Sequence, residues 1–114
     1  MTSFAAQSSI EDGVHVVSLS GELDQATVPD LKATLDPVAE EAEALLIDLE
    51  RCEFIDSTGL ATLVEASARI GERGGRFAVC CAGPAVLRLL EITGAAAGLG
   101  LEEDRAAGLA ALSA

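Results

Sequence analysis

The chain has 114 residues, 50% of them hydrophobic, and its 3% aromatic content is all Phe. That suits one domain with an aliphatic core, too apolar to stay unfolded and too short to divide into two. Nineteen acidic residues against seven basic ones give a formal net charge of -12 spread along the sequence, a field that repels nucleic acid and anionic membranes.

No stretch approaches the ~18 uninterrupted apolar residues of a membrane span, and the N-terminus lacks the basic-then-apolar order of a signal peptide. Three cysteines, Cys52 and the adjacent Cys80 and Cys81, make poor material for a disulfide framework and suit a reducing compartment. A cytoplasmic location, with no membrane insertion, is expected.

Residues 4–10 and 14–20 predict two strands joined through Glu11-Asp12-Gly13, where Asp-Gly marks a tight hairpin. Gly21-Glu22-Leu23-Asp24 then leads to Thr27-Val28-Pro29-Asp30, an N-cap with an acidic residue three later and Pro in the first turn. A helix over about 28–41 follows. Residues 44–49 form an almost continuous apolar run broken by Asp48, the mark of a central strand covered on both faces.

That strand runs through Phe54-Ile55 into Asp56-Ser57-Thr58-Gly59 and a helix whose Leu60, Leu63, Val64, Ser67 and Ile70 share one face, up to a stop at Gly74-Gly75. Residues 76–82 repeat the buried-strand pattern. Gly83-Pro84 opens a third helix through Leu87, Leu90 and Ile92 to Gly94. The Ala- and Gly-rich end predicts a short strand near 99–101 and a last helix from about Glu102. Strands alternating with helices imply parallel pairing through right-handed crossovers: an α/β fold, a mixed four- to five-stranded sheet with helices packed on it.

Several chemistries lack their residues. Ile55-Asp56-Ser57-Thr58-Gly59 has no first glycine of a Gly-x-Ser-x-Gly elbow, and His15 is the only histidine available as a base. Asp56-Ser57-Thr58 departs from the Asp-Ser-Gly of an aspartic protease, whose chemistry needs two carboxylates sharing a proton. Lys32 is the only lysine and no phosphate-binding Gly-x-x-x-x-Gly-Lys motif occurs. Without Cys-x-x-Cys and with one histidine, a zinc centre has almost no ligands. Cys52, with only Arg51 beside it, reads as an ordinary thiol. No catalytic residue, cofactor or metal is expected.

The helix start at Ser57 remains distinctive. The first N–H groups of a helix have no internal partner and the macrodipole favours negative charge there, so Asp56 or Ser57 serves as an N-cap, or a phosphate on Ser57 finds a favourable field.

Gly21-Glu22-Leu23-Asp24, Leu46-Ile47-Asp48-Leu49, Phe54-Ile55-Asp56-Ser57-Thr58-Gly59-Leu60 and the run from Pro84 to Gly94 together resemble a STAS domain of the bacterial anti-sigma factor antagonist type, in the right order over nearly the whole chain. The resemblance implies a single STAS domain, residues 1–114, acting in partner switching. The unphosphorylated antagonist binds an anti-sigma factor that is a serine kinase and frees a sigma factor; phosphorylation ends that binding, and a serine phosphatase reverses it.

It places the phosphoacceptor at Ser57, with Thr58 as a secondary acceptor. It makes Asp24, Asp56, Ser57, Thr58 and Gly59 the partner-binding set. The bland reading of Asp24 is a cap or turn residue. Gly83 departs from the pattern, where a capping Ser is common. Other expectations compatible with the fold are a stressosome scaffold, the soluble subunit of a lipid transporter, or a small-anion or nucleotide-binding module.

Overall fold

In the computed structural model, which describes residues 3–113, β1 (Ala5–Glu11) and β2 (Val14–Leu23) form the opening antiparallel hairpin. Asp12 and Gly13 turn it with φ of 53° and 79°, the double positive φ whose twist matches two strands. β3 (Ala44–Ile55), β4 (Arg76–Cys80) and β5 (Leu101–Glu102) add in parallel, giving the order β1-β2-β3-β4-β5.

The connecting helices are α1 (Val28–Glu41), α2 (Ser57–Glu72), α3 (Pro84–Thr93) and α4 (Ala95–Leu99). Because the strands are added in one direction, crossovers of one hand place these helices on the same face. Val17, Leu19, Leu45, Ile47, Leu49 and Val79 meet Leu31 and Leu35 of α1, Leu63 and Ile70 of α2, and Val86 and Leu90 of α3 in one core.

The opposite face is covered by α5 (Arg105–Leu112) alone among the described residues: Leu109 and Leu112 pack on Val14, Val16, Leu46, Ala78 and Cys80. Gly108 faces Leu46, where an added Cβ would lie 2.7 Å from Leu46 Cδ1, so the absence of a side chain lets the helix seat closely.

Several boundaries differ from the sequence expectation. β3 does run through to Ile55 as expected, yet irregularly. Its pairing with β2 steps from Ser18↔Asp48 to Ser20↔Arg51 and from Gly21↔Cys52 to Glu22↔Phe54, so β3 gains one extra residue at each step, as a bulge does. Burial there recurs at Leu49, Cys52 and Ile55, which hides the two-residue period. β4 stops at Cys80 rather than 82, because Cys81 takes a left-handed φ of 65°.

Thr27 caps no helical N–H. Its hydroxyl turns back, donating to the Glu22 carbonyl at 2.8 Å and accepting the Asp24 N–H at 2.9 Å, so the expected pairing of a Thr27 cap with Asp30 does not form. On α2 the buried face is Leu60, Thr62, Leu63, Ala66 and Ile70; Val64 is exposed. On α3, Val86 is buried and Ile92 is 71% exposed. The short strand expected near 99–101 forms as β5 at Leu101–Glu102, shifted because Leu99 ends α4, and α5 begins at Arg105, where Asp104 accepts the Ala107 N–H at 2.8 Å.

One polar cluster crosses the second face. Asp48, 5% exposed in the middle of β3, accepts Arg105 Nη1 at 2.7 Å through Oδ2 and the Glu50 N–H at 2.9 Å through Oδ1. Arg105 also donates to Glu11 from Nε at 2.8 Å, and these two carboxylates hold its guanidinium above the usual range. The cluster ties α5 to β1 and β3.

Replacing Arg105 with Leu strands a buried carboxylate, and we expect it to lower stability by about 1–3 kcal/mol, the cost of an unsatisfied buried polar group. Adding Asp48→Asn recovers part of that loss by removing the charge. Urea unfolding at constant m-value measures both; equal stability of the wild type and Arg105→Leu refutes the assignment.

Candidate functional site

β2 and β3 run parallel and finish side by side, Leu23 paired with Ile55. The chain therefore leaves the sheet twice at one edge, through the loop at Asp24 and through the start of α2 at Asp56. The Asp56 N–H donates to the Leu23 carbonyl at 3.0 Å, carrying the pairing one residue past the strands.

The Asp56 carboxylate joins the two exits. Oδ1 accepts the Gly59 N–H at 2.8 Å, capping α2, and Oδ2 accepts the Gln25 N–H at 3.1 Å from the neighbouring loop. Of the two caps that the sequence left open, Asp56 is the one formed. Asp24 closes its own loop, its Oδ1 accepting the Ala26 and Thr27 N–H groups at 3.0 and 3.1 Å. Its turn role is thus realised. Asp24, Gln25, Ala26 and Asp56 line a shallow open depression.

Ser57 and Thr58 are the first two residues of α2, and both are exposed. The Thr58 carbonyl accepts the Thr62 hydroxyl at 3.1 Å, and Leu60 N–H closes on the Asp56 carbonyl at 2.9 Å. Among the described residues nothing accepts the N–H of Ser57 or Thr58, so this end of α2 keeps two free donors beside the Ser57 hydroxyl. A helix start with free donors stabilises an anion.

Gly59 is buried, and a Cβ there would lie 2.6 Å from Leu23 Cγ and 3.0 Å from its carbonyl oxygen. Glycine lets the first turn of α2 press on the end of β2, which keeps the Asp24 loop and Ser57 close. Its place in the motif has a packing cause.

The structure brings Asp24, Asp56, Ser57, Thr58 and Gly59 to one edge. It separates them from His15, paired with Leu45 at the other end of β2. Eight residues of strand from His15 to Leu23 span about 26 Å at 3.3 Å per residue, so His15 cannot serve Ser57 as a base. Cys52 is buried, its thiol pushed up by desolvation first, and its Sγ donates to the Phe54 carbonyl at 3.5 Å.

Two features escaped the sequence reading. Phe54, two residues before Asp56 and the register partner of Glu22, is 45% exposed; the bulged stretch of β3 hid which way that part of the strand faces. The Gln25 backbone N–H joins the site through a contact 31 residues apart in sequence, which no local pattern announces.

Comparison with other proteins agrees with this architecture. The family model described as Mlab, STAS domain, matches residues 6–103. An anti-sigma F factor antagonist of Paenibacillus polymyxa is 36% identical over 84 residues, 72% of this chain and 72% of its own. The anti-sigma-F factor antagonist RsfB of Mycobacterium tuberculosis is 36% identical over 84 residues, 73% of this chain and 68% of its own. The crystal structure of an anti-sigma factor antagonist from Mycobacterium paratuberculosis superposes with a TM-score of 0.89 at 34% identity, covering 98% of this chain and 96% of that one. With its five-stranded mixed sheet and this helix start beside the Asp24 loop, the chain belongs to the STAS-domain family of anti-sigma factor antagonists.

Proposed function

We propose that the protein is a partner-switching antagonist whose control point is Ser57. Unphosphorylated, it binds an anti-sigma factor that is also a serine kinase and so releases a sigma factor, in the cytoplasm. The kinase transfers the terminal phosphoryl group of ATP to Ser57 Oγ, leaving ADP and a proton, and binding ends. A serine phosphatase hydrolyses the phosphoester and restores the antagonist. The observation that carries this reading is the exposed Ser57 hydroxyl on the first residue of α2, between the Asp56 cap and the Asp24 loop.

Both carboxylates already have partners in the backbone, so the hydroxyl is free to react while its surroundings are held still. Asp56 and Gly59 act by positioning; Asp24, Ser57 and Thr58 present the surface the partner covers, with Thr58 the secondary acceptor. A phosphate adds about -1.5 to -2 charges at neutral pH. The helix start tolerates it, so the fold survives, and the change falls on the interface, where added charge and bulk next to Asp56 disrupt close packing.

Three baits, wild type, Ser57→Ala and Ser57→Asp, test the switch in a pull-down from native lysate with mass spectrometry. We expect wild type and Ser57→Ala to retain a serine kinase with a histidine-kinase-like ATP-binding domain. Ser57→Asp should bind it about tenfold more weakly or worse, a loss of about 1.4 kcal/mol. Equal retention by all three, or retention of no kinase, rejects the reading.

Asp56 gives a second test. Asp56→Ala removes both carboxylate bonds, and we expect it to cost about 1–2 kcal/mol of stability and to slow phosphate transfer to Ser57. Asp56→Asn should fall between, because its amide oxygen can still accept the Gly59 N–H while its NH2 cannot accept from Gln25. Urea unfolding and radiolabelled phosphate incorporation follow the two effects separately.

A further inference from the structure

A second cluster of chemically competent groups lies on the other face of the sheet, outside the switch. Cys80, fully buried at the end of β4, joins the Val14, Val16, Leu46 and Ala78 cluster under α5. Side chains of successive residues in a strand point to opposite faces, which would send Cys81 away. The left-handed φ of 65° at Cys81 instead returns its sulfur to the same side, with the two Sγ atoms 3.4 Å apart. Asp48 is the register partner of Cys80 on the adjacent strand. One ligand atom from each of Asp48, Cys80 and Cys81 lies within 4.8 Å of the others.

We propose that Asp48, Cys80 and Cys81 bind one thiophilic divalent cation of the zinc and cadmium class. Zinc–sulfur bonds are about 2.3 Å and zinc–carboxylate bonds about 2.0–2.2 Å, so sulfurs at the observed separation can share one ion, with Asp48 as third ligand. Cys81 is only partly buried, which leaves a side open for entry and for a solvent ligand. Two thiolates select soft or borderline metals over magnesium and calcium.

The surrounding groups fit a cation. Asp48 is oriented through one oxygen by Arg105 and through the other by the Glu50 N–H, the outer-shell support that ligating carboxylates ordinarily have. Two thiolates and a carboxylate bring three negative charges, which a divalent ion and the guanidinium cancel. Glu11, the other partner of Arg105, is 43% exposed and is screened by solvent. On binding, two metal–sulfur bonds form and two thiol protons leave to solvent; nothing is oxidised. The usual Cys-x-x-Cys spacing is absent from the sequence, and the chelate comes from a backbone reversal and a cross-strand neighbour.

The 114-residue chain, reduced with a phosphine, is titrated with cadmium chloride while the ultraviolet thiolate-to-metal charge-transfer absorption is followed, with zinc as competitor and magnesium as control. We expect the absorption to saturate at one cadmium per chain, to be displaced by zinc and to be absent with magnesium. Cys81→Ser should weaken cadmium binding at least tenfold and reduce the absorption, and Cys52→Ser should change neither.

Cys81→Gly, which favours the left-handed backbone, keeps the test available if the serine variant does not fold, as judged by circular dichroism. Asp48→Asn in the Arg105→Leu background should weaken binding with the absorption per bound ion retained. No charge-transfer absorption, or absorption that survives loss of the Cys81 thiol or depends on Cys52, overturns the proposal.

Discussion

Parallel strands added in a single direction constrain everything else in this molecule. Each crossover must climb one face and return to the same edge of the sheet, so α1 to α4 share a face and the exits of β2 and β3 share an edge. The shared edge brings Asp24 and Asp56 together although they are 32 positions apart. The shared face leaves the other side of the sheet to α5, which is eight residues long and too short to cover it with apolar contacts alone. Arg105 completes that cover by reaching from α5 to Asp48 and Glu11.

β3 shows how this constraint shapes the site. Its first part, Ala44 to Asp48, pairs with β2 on one side and β4 on the other, whereas the bulged remainder up to Ile55 pairs with β2 alone. Beyond Asp48 the strand has lost one of its two ladders. The bond from Asp56 to the Gln25 N–H and that from the Asp56 N–H to the Leu23 carbonyl supply lateral ties where the ladder with β4 has ended. Gly59 adds a steric tie, since only a residue without a side chain lets α2 rest directly on Leu23. The exposed Ser57 residue, built on an otherwise half-paired strand end, is thereby held in place.

Much of this was legible in the sequence because it rests on local signals. The Asp12-Gly13 turn, Pro29 in the first turn of α1, the apolar run 44–49 and the Gly94 stop, which takes φ 74°, are each decided by neighbours in the chain. What escaped depends on contacts between distant segments. The two extra residues in β3 convert a two-residue period into burial at every third position, so which side chains of its outer half face the core was not legible. Thr27 carries the chemistry of a helix cap, yet a nearby acceptor at Glu22 draws its hydroxyl away. Val64 fits the apolar spacing of α2, but with Thr62 and Ala66 buried the contact stripe runs on the other side of Leu63. The vicinal thiols read only as adjacent residues of a buried strand, and one backbone angle at Cys81 sets their sulfurs together.

The acidic composition acquires different meanings on the two faces. Around Ser57, the carboxylates of Asp24 and Asp56 are engaged by backbone N–H groups, so their charge is fixed in position and partly offset by the start of α2. Added phosphate would stand next to these fixed charges, on a surface where seven cations in the whole chain leave little to neutralise it. Beneath α5, Asp48 is removed from water and needs a cation, which Arg105 provides. β3 thus carries a buried carboxylate that anchors a helix and leads directly into one that caps α2 and holds the Asp24 loop. Asp48 lies opposite Ser18 and Ile55 opposite Leu23, five residues of β2 or about 17 Å at 3.3 Å each, so the two carboxylates stand well beyond the ~8 Å over which exposed charges act in physiological salt. A change of charge at Ser57 therefore acts on the surface around Asp24 and Asp56 and only weakly on the Arg105 anchor.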